Sequence, residues 1–302
     1  MENWQVNILI LSDGRMGHLN QSIALAKHLG ARYDIFTVTF TCKAFKLLSY
    51  VLDCFKIYTT SLFKLDQPIT QNYDCIVSAG SGTYYANKTL ARTLGIKSVV
   101  MMLPQSYRYD FDLIFAQAHD HPPKQKNIIP LPANFSYVEP KGLFVPKSKS
   151  VGIIIGGNNA LFTMEKARLS EQLDFIFNQF TGYEIAVTTS PRTPKEIESL
   201  VESYPFAYSV IFSRNKINPI ADFLHHCEVV FITMDSTSMV SEAISYGSSC
   251  VEILPLGDAK NNKFFTMTQT LEKEGYLHLF DGTLAHNNLK IDFNHYAQKV
   301  NA

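Results

Sequence analysis

The stretch that decides the fold is residues 6–29, VNILILSDGRMGHLNQSIALAKHL, near the start of a 302-residue chain. Its first part, residues 6–11, is an apolar run typical of a buried strand, and residues 20–29 repeat apolar side chains at helical spacing. The turn between them crowds polar side chains onto the carboxyl end of the strand. That turn suits a phosphate loop, an acceptor site or only a well-capped helix, and by itself it does not decide among the three.

Short β-branched runs alternate with helical patterns along the rest of the chain, which predicts mostly parallel sheets with helices on both faces. The further predicted strands cover residues 33–40, 75–78, 98–103, 111–115, 127–130, 151–155, 184–188, 209–212, 229–233 and 250–254. The predicted helices cover residues 86–94, 165–180, 194–203, 219–226 and 238–246, with a last one in 287–302.

Residues 138–150 interrupt this alternation with a segment rich in Pro, Gly, Ser and Lys, which is typical of an interdomain linker. We therefore expect an α/β protein with two Rossmann-like doubly wound domains, residues 1–145 and 146–302, facing each other across a cleft. The last predicted helix is expected to pack back on the N-terminal domain.

The composition of the chain excludes several classes of protein. Lys plus Arg and Asp plus Glu both number 27, so no net charge points to nucleic acid. The five cysteines form no C-x-x-C motif, and we expect buried free thiols in a reducing compartment. The His119-Asp120-His121 cluster does not easily turn three ligands toward one ion, so no metal and no cofactor are predicted. No apolar run reaches about 18 residues and no basic leader is present, so we expect a cytoplasmic chain.

Ligands of doubly wound sheets bind beyond the carboxyl ends of the strands, and the second half carries unusual residues at three such ends. The first is Gly156-Gly157-Asn158, which either lets backbone approach a ligand or a facing loop closely or makes a tight turn after the strand.

The second strand end is residues 188–196, TTSPRTPKE. Its Thr-Pro-x-Glu at residues 193–196 predicts a capping box with proline at the first helical position. The capping box does not account for Thr189, Ser190 and Arg192. Hydroxyls and an arginine at a helix N-terminus suit an anion, although Arg192 is equally well a solvated surface charge.

The third strand end gives the most specific pattern, a buried strand that runs into Asp235 and a helix opened by Ser236, Thr237 and Ser238. Ser238 and Glu242 are four residues apart, so they project from the same helix face. A phosphate would sit at the hydroxyl-lined start and the carboxylate would accept both ribose hydroxyls. The alternative is a capped helix with an exposed glutamate. Three loops with the same chemistry favour nucleotide binding.

The opening turn is ambiguous on its own. Asp13 and Arg15 are placed to pair with each other, and His18 is close to the start of a helix. The positive end of a helix dipole favours neutral imidazole, which makes His18 a candidate general base if it faces a cleft. Taken without context, a surface histidine is the simpler interpretation.

The segment from Phe45 to Phe63 is strongly apolar and carries lysines at positions 43, 46, 56 and 64. It predicts either a peripheral membrane contact or a core helix whose lysines reach out to solvent.

These motifs together resemble the mitochondrial-fission, elongated-mitochondria protein family over nearly the whole chain. The stretches that carry the resemblance are Asp13-Gly-Arg-x-Gly-His-x-Asn-Gln21, Ser78-Ala-Gly80, His119-Asp120 with Pro122-Pro123, Gly156-Gly157, Thr188-Thr-Ser-x-Arg-Thr-Pro194 and Asp235-Ser-x-Ser-Met-x-Ser-Glu-Ala243. The sequence departs from the family at Ser81-Gly82, where a basic pair is frequent, and at Pro191, where arginine is frequent.

The family in turn is similar to two-domain glycosyltransferases of the GT-B type, notably the peptidoglycan GlcNAc transferase. This resemblance implies a metal-independent sugar transferase with an acceptor-side N-terminal domain and a C-terminal domain that binds the nucleotide sugar. It implies His18 near the acceptor, Ser238 facing phosphate and Glu242 on the ribose.

The function expected from the sequence is therefore transfer of a sugar from a nucleotide-sugar donor to a glycan or lipid-linked acceptor, such as an envelope glycolipid of lipopolysaccharide biosynthesis. A lipid-linked acceptor places the reaction at the inner face of the cytoplasmic membrane. The alternatives are a nucleotide-sugar epimerase and a non-catalytic membrane-surface adaptor. The predicted catalytic residues are His18, Asp13 and Arg15. The predicted substrate-binding residues are Gly14, Gly17, Asn20, Gln21, Gly157, Asn158, Thr189, Ser190, Arg192, Asp235, Ser236, Ser238, Met239 and Glu242.

Overall fold

The computed structural model describes residues 6–257 and 263–301, which form two compact units. The first unit comprises the chain up to Tyr137 together with the segment from Asp292 onward, and the second is Val138–Ile291. The expected boundary between residues 145 and 146 falls inside the second unit, because the linker-like segment is tied to it. For example, the main-chain N–H of Gly142 donates to Asp222 over 2.7 Å.

The first unit is built on a parallel sheet with one antiparallel edge strand. Its strands are β1 (Asn7–Ser12), β2 (Arg32–Phe40), β3 (Phe63–Leu65), β4 (Cys75–Ser78), β5 (Lys97–Val100), β6 (Leu113–Gln117) and β7 (Ile128–Leu131), in the order β3-β2-β1-β4-β5-β6-β7. Only β3 runs antiparallel to its neighbour among these described strands. The helices are α1 (Met16–His28), α2 (Lys43–Cys54) and α3 (Tyr84–Leu94).

The second unit repeats the plan. Its strands are β8 (Ser150–Ile154), β9 (Glu184–Thr188), β10 (Tyr208–Val210), β11 (Val229–Thr233), β12 (Cys250–Leu254) and β13 (His278–Leu279), in the parallel order β10-β9-β8-β11-β12-β13. The helices are α4 (Lys166–Gln179), α5 (Lys195–Glu202), α6 (Ile220–His226), α7 (Thr237–Ala243) and α8 (Lys263–Lys273). A short α9 (Phe293–Ala297) follows, in the segment grouped with the first unit.

Strand order places the important loops. In each sheet the order reverses beside the first strand, between β1 and β4 and between β8 and β11. Right-handed crossovers then send successive helices to opposite faces, which opens a crevice at the carboxyl ends of these two strands. The registers Leu11↔Ser78 and Ile232↔Ile154 bring the strand ends level. The loops that follow are therefore neighbours within each unit.

The central strands form the cores. Ile8, Leu9 and Ile10 of β1 have no exposed surface, and neither do Phe231 and Ile232 of β11. Such runs are apolar on both faces because helices cover both sides of a parallel sheet. The α/β prediction with two parallel sheets is thus confirmed.

Several local predictions were wrong. The first helix starts at Met16, four residues before the predicted position 20, and the last helix shrinks to five residues capped by Asp292. The short strands β3 and β13 were not predicted at all, because they have too few residues to show a period. Cys42 and Cys54 are exposed, whereas buried thiols were expected.

Candidate functional site

The loop after β1 brings Asp13 and His18 together. Gly14 adopts a φ of +82°, which turns the chain so that Arg15 becomes the N-cap residue of α1 and His18 lies in its first turn. His18 Nδ1 lies 3.0 Å from Asp13 Oδ2. The side chains are 20% and 12% exposed, so the pair is sheltered yet reachable. Because an ionised carboxylate only accepts, Nδ1 is the donor, and in the neutral ring Nε2 is then the nitrogen with the lone pair.

Two glycines after β4 make room for this pair. A Cβ on Gly80 would overlap the His18 ring and lie 2.9 Å from Asp13 Oδ2. A Cβ on Gly82 would lie 2.9 Å from Asp13 Cβ. Gly80 also has a φ of +87°, which side chains rarely adopt. Gly82 was not among the predicted site residues, and a glycine pair at the neighbouring strand end is the signal that could have found it.

The other predicted residues of the opening turn have different roles. The side chain of Arg15 is exposed, and only its main-chain N–H reaches Asp13, over 3.2 Å, so the pairing of these two side chains does not form. Gly17 and Asn20 are exposed on α1. Gln21 is buried. Its side-chain N–H donates to the Gly17 carbonyl and its side-chain oxygen accepts from the Gln117 amide, so it forms hydrogen bonds inside the unit.

Asp235 organises the loops of the second unit. Its fully buried carboxylate accepts from the main-chain N–H of Gly157 at 3.0 Å, from the Thr233 hydroxyl at 2.7 Å and from the Arg192 guanidinium at 2.9 Å. Burial raises the pKa of Asp235, and these three donors work against that rise. One carboxylate therefore links the loops that follow β8, β9 and β11. Sequence reasoning missed Thr233, which is the last residue of its strand.

The glycines after β8 are required by this packing. A Cβ on Gly156 would overlap the Asp235 carboxylate, and one on Gly157 would overlap the main chain of Arg192. Asn158 is exposed, and its side-chain oxygen accepts from Met164 N at 2.8 Å. The structure therefore shows the backbone of this stretch in close approach to the loops that carry Arg192 and Asp235.

The hydroxyls after β9 are used internally. Thr189 is buried and accepts from Phe212 N at 2.9 Å, and Ser190 accepts from Arg192 N at 3.2 Å. The predicted capping box is wrong. Pro194 is the N-cap residue of α5 without a side-chain bond, because the Thr193 hydroxyl donates to the carbonyl of Gly156 instead.

Helix α7 presents the free polar groups of this unit. Ser236 is its N-cap residue and accepts from Met239 N at 3.4 Å. Ser238 is exposed one turn before Glu242. Within the described residues, neither the Ser238 hydroxyl nor the Glu242 carboxyl group has a hydrogen-bond or ion-pair partner in the structure. Desolvation raises the pKa of Glu242 to about 7.

Two negative findings apply to residues 6–257 and 263–301. No three His, Cys, Asp or Glu side chains come together in a way that could hold a metal ion. No helix in this part of the chain combines the length and apolar character needed to cross a bilayer.

Comparisons with known proteins agree with this architecture. The model of a family described as mitochondrial fission ELM1 matches residues 16–300. An uncharacterized protein of Rickettsia prowazekii (strain Madrid E) is 26% identical over 293 residues, covering 80% of this chain and 81% of its own.

One solved structure shares the fold at low identity, and a second is similar at a lower TM-score. The crystal structure of a putative UDP-N-acetylglucosamine 2-epimerase from Listeria monocytogenes matches with a TM-score of 0.52 at 11% identity, covering 98% of this chain and 88% of that one. The crystal structure of Acinetobacter baumannii MurG matches with a TM-score of 0.47 at 13% identity, covering 98% and 89%.

Proposed function

This chain belongs to the mitochondrial fission ELM1 family, and we propose that it is a glycosyltransferase that moves a sugar from a nucleotide-sugar donor to an envelope glycolipid or similar acceptor. The observation that carries the proposal is the Asp13–His18 pair, with its 3.0 Å bond at the end of β1. A carboxylate that fixes one ring nitrogen and leaves the other basic is the arrangement of a general base.

In the proposed step, the acceptor hydroxyl gives its proton to His18 Nε2 while its oxygen attacks the anomeric carbon of the donor sugar. The bond from that carbon to the nucleotide diphosphate breaks, and the diphosphate leaves with the electron pair. Asp13 stabilises the imidazolium that forms. Arg15, exposed at the N-terminus of α1, would offset negative charge on the substrates. The site works at the inner face of the cytoplasmic membrane if the acceptor is lipid-linked.

The donor is assigned to the second unit. The unpartnered Glu242 carboxylate would accept from the ribose hydroxyls, and exposed Ser238 would donate to phosphate. Arg192 is 44% exposed and gives one amino group to Asp235, so its remaining N–H groups can reach a diphosphate. Gly157 and Asp235 would contribute by holding these loops in place.

The fold shared with the putative Listeria epimerase favours a second candidate, a nucleotide-sugar epimerase. An epimerase needs an acid and a base that act on the sugar itself and needs no acceptor. A non-catalytic membrane-surface adaptor, the third possibility, would require neither His18 nor Glu242. These three functions differ in what they bind and what they release.

Calorimetric titration with UDP, GDP, CMP and their sugar derivatives tests the donor site. We expect one nucleotide to bind and Glu242→Gln to weaken its binding by roughly tenfold, as for loss of a hydrogen bond to a charged group. Glu171→Gln, at an exposed glutamate on α4, is the matched control and should bind as the unaltered chain does. If no nucleotide binds, the transferase proposal is wrong and the adaptor is favoured.

Slow hydrolysis of the bound donor without acceptor tests the base. We expect His18→Asn to lose hydrolysis by on the order of a hundredfold while keeping donor affinity. Conversion of the sugar to its epimer, with no release of nucleotide, would show that the protein is an epimerase and that the transferase proposal is wrong.

A further inference from the structure

Helix α2 (Lys43–Cys54) turns its polar side chains inward. Ser49 and Asp53 have no exposed surface, whereas Leu47 is 68% exposed and Val51 is 52% exposed. Phe55, directly after the helix, is 72% exposed. Phe45, Tyr50 and Leu52 of the same helix pack against the core, so α2 has apolar side chains on its outer side in addition to its inner side. A helix on the surface of a water-soluble domain ordinarily exposes polar side chains there.

The inward polar groups hold the helix in this orientation. The Ser49 hydroxyl lies 2.8 Å from the Tyr107 hydroxyl. Asp53 accepts from the ammonium group of Lys88 at 2.7 Å and from Arg108 N at 2.7 Å, and both Asp53 and Lys88 are fully buried. Rotating the apolar side chains toward the core would break this buried ion pair and leave its charges unpaired.

The outward side forms a continuous apolar surface, here called the docking face. Residues 47, 51 and 55 follow one another at intervals of four, so their side chains share one side of the helix. None of its members carries a hydrogen-bonding side chain. The docking face consists of Leu47, Leu48, Val51, Phe55 and Ile57, which are 68%, 39%, 52%, 72% and 52% exposed.

Exposed lysines stand at both ends of this face. Residues 41–65 contain four lysines and a single acidic residue, Asp53, which is buried against Lys88, although the whole chain has no net charge. Lys43 and Lys56 are exposed at the two ends of the docking face. Anionic headgroups complement such a rim. A second copy of the chain would instead bring its own lysines against these.

We propose that the docking face binds the surface of an anionic phospholipid bilayer, with α2 lying in the plane of the interface. A helix of this length extends about 18 Å, too short to span a hydrocarbon core of about 30 Å. Apolar side chains on one side with lysines beside them suit the boundary between headgroups and acyl chains. The docking face involves neither His18 nor Glu242, so the membrane proposal can fail without affecting the proposed enzymatic activity.

Flotation with vesicles of phosphatidylcholine and phosphatidylglycerol tests the proposal. We expect the chain to float with these vesicles, and Leu47→Glu to lower the bound fraction by roughly tenfold or more. Leu289→Glu, at a leucine that is 60% exposed in the second unit, is the matched control and should bind as the unaltered chain does. Circular dichroism of both variants checks that they fold.

The exposed thiol of Cys54 gives an independent readout at the end of α2. In a variant with Cys42→Ser and Cys250→Ser, an environment-sensitive fluorophore on Cys54 should shift to the blue with anionic vesicles and remain unshifted with phosphatidylcholine alone. Phe55→Leu should preserve flotation and Phe55→Glu should lose it.

Three results would overturn the proposal. They are failure of the unaltered chain to float, equal flotation of it and Leu47→Glu, and a concentration-dependent dimer that Leu47→Glu abolishes. The last would identify the docking face as a contact between copies of the chain.

Discussion

In each unit, an aspartate packs against glycines where two adjacent central strands end. The strand that the aspartate follows differs between the units. In the first unit the aspartate, Asp13, follows β1 and Gly80 follows the adjacent β4. In the second unit Gly156 follows β8, the strand equivalent to β1, and Asp235 follows the adjacent β11. A Cβ on Gly80 would overlap the His18 ring that is paired with Asp13, and a Cβ on Gly156 would overlap the Asp235 carboxylate.

The partners of the two aspartates differ in chemistry. Asp13 is paired with His18, an imidazole that is 20% exposed. Asp235 is fully buried and is paired with Arg192, which keeps its charge. The same geometry therefore gives a partly exposed aspartate–histidine pair in the first unit and a buried aspartate–arginine junction between loops in the second.

The largest effect should come from breaking the buried junction. Asp235→Ala leaves the buried N–H of Gly157 and the hydroxyl of Thr233 without their acceptor, and we expect the free energy of unfolding to fall by about 3 kcal/mol. Urea unfolding followed by circular dichroism measures the change.

The matched variant in the first unit is Asp13→Ala. Because Asp13 is partly exposed and its partner His18 can be neutral, the expected loss is below about 1 kcal/mol. Equal losses for the two variants would show that both aspartates are structural, and the contrast between the units would then be lost.

The next effect is a pH dependence of the free energy of unfolding that comes from Glu242 in the second unit. The pKa of Glu242 is about 7 in the folded chain against its usual 4.5, so between these values the folded state holds a proton that the unfolded state has released. The free energy of unfolding therefore falls as the pH rises through this window. Glu242→Gln should reduce the slope, leaving the part that the raised pKa values of Asp235 and Glu252 contribute, and should stabilise the chain by about 2 kcal/mol at about pH 8, allowing for partial exposure of the group.

Urea unfolding at several pH values compares Glu242→Gln with Glu171→Gln, whose exposed side chain should leave the slope intact. Saturation with the nucleotide identified by calorimetry should raise the stability of the unaltered chain more than that of Glu242→Gln. An unchanged slope in Glu242→Gln would mean that this carboxyl group ionises as a solvated one does.

Much of the fold follows from local pattern. Strands β4, β9, β11 and β12 begin and end at the predicted residues, because each is a buried apolar run closed by turn-forming or polar residues. The first helix begins four residues before the predicted start because Gly14, with its positive φ, makes the turn and Gly17 and His18 are already helical.

The site was harder to predict, since local sequence shows which side chains stand at a strand end but not what they contact. The Thr189 hydroxyl accepts a hydrogen bond from the main-chain N–H of Phe212, and the Thr193 hydroxyl donates one to the main-chain carbonyl of Gly156. These partners follow other strands, so local sequence could show neither these hydrogen bonds nor the absence of the capping box. Ser238 and Glu242 could be foreseen as a pair because helix geometry alone puts them on one face.

The smallest effect separates two serines that sequence alone treats alike. The Ser190 hydroxyl accepts from Arg192 N and contacts the Thr193 hydroxyl, so Ser190→Ala should lower the free energy of unfolding by about 1 kcal/mol. Ser238 is exposed, so Ser238→Ala should leave stability unchanged and weaken nucleotide binding by roughly fivefold. Urea unfolding and calorimetry on both variants measure the two quantities. If Ser190→Ala weakens binding as much as Ser238→Ala does, the junction itself contacts the ligand and is more than its support.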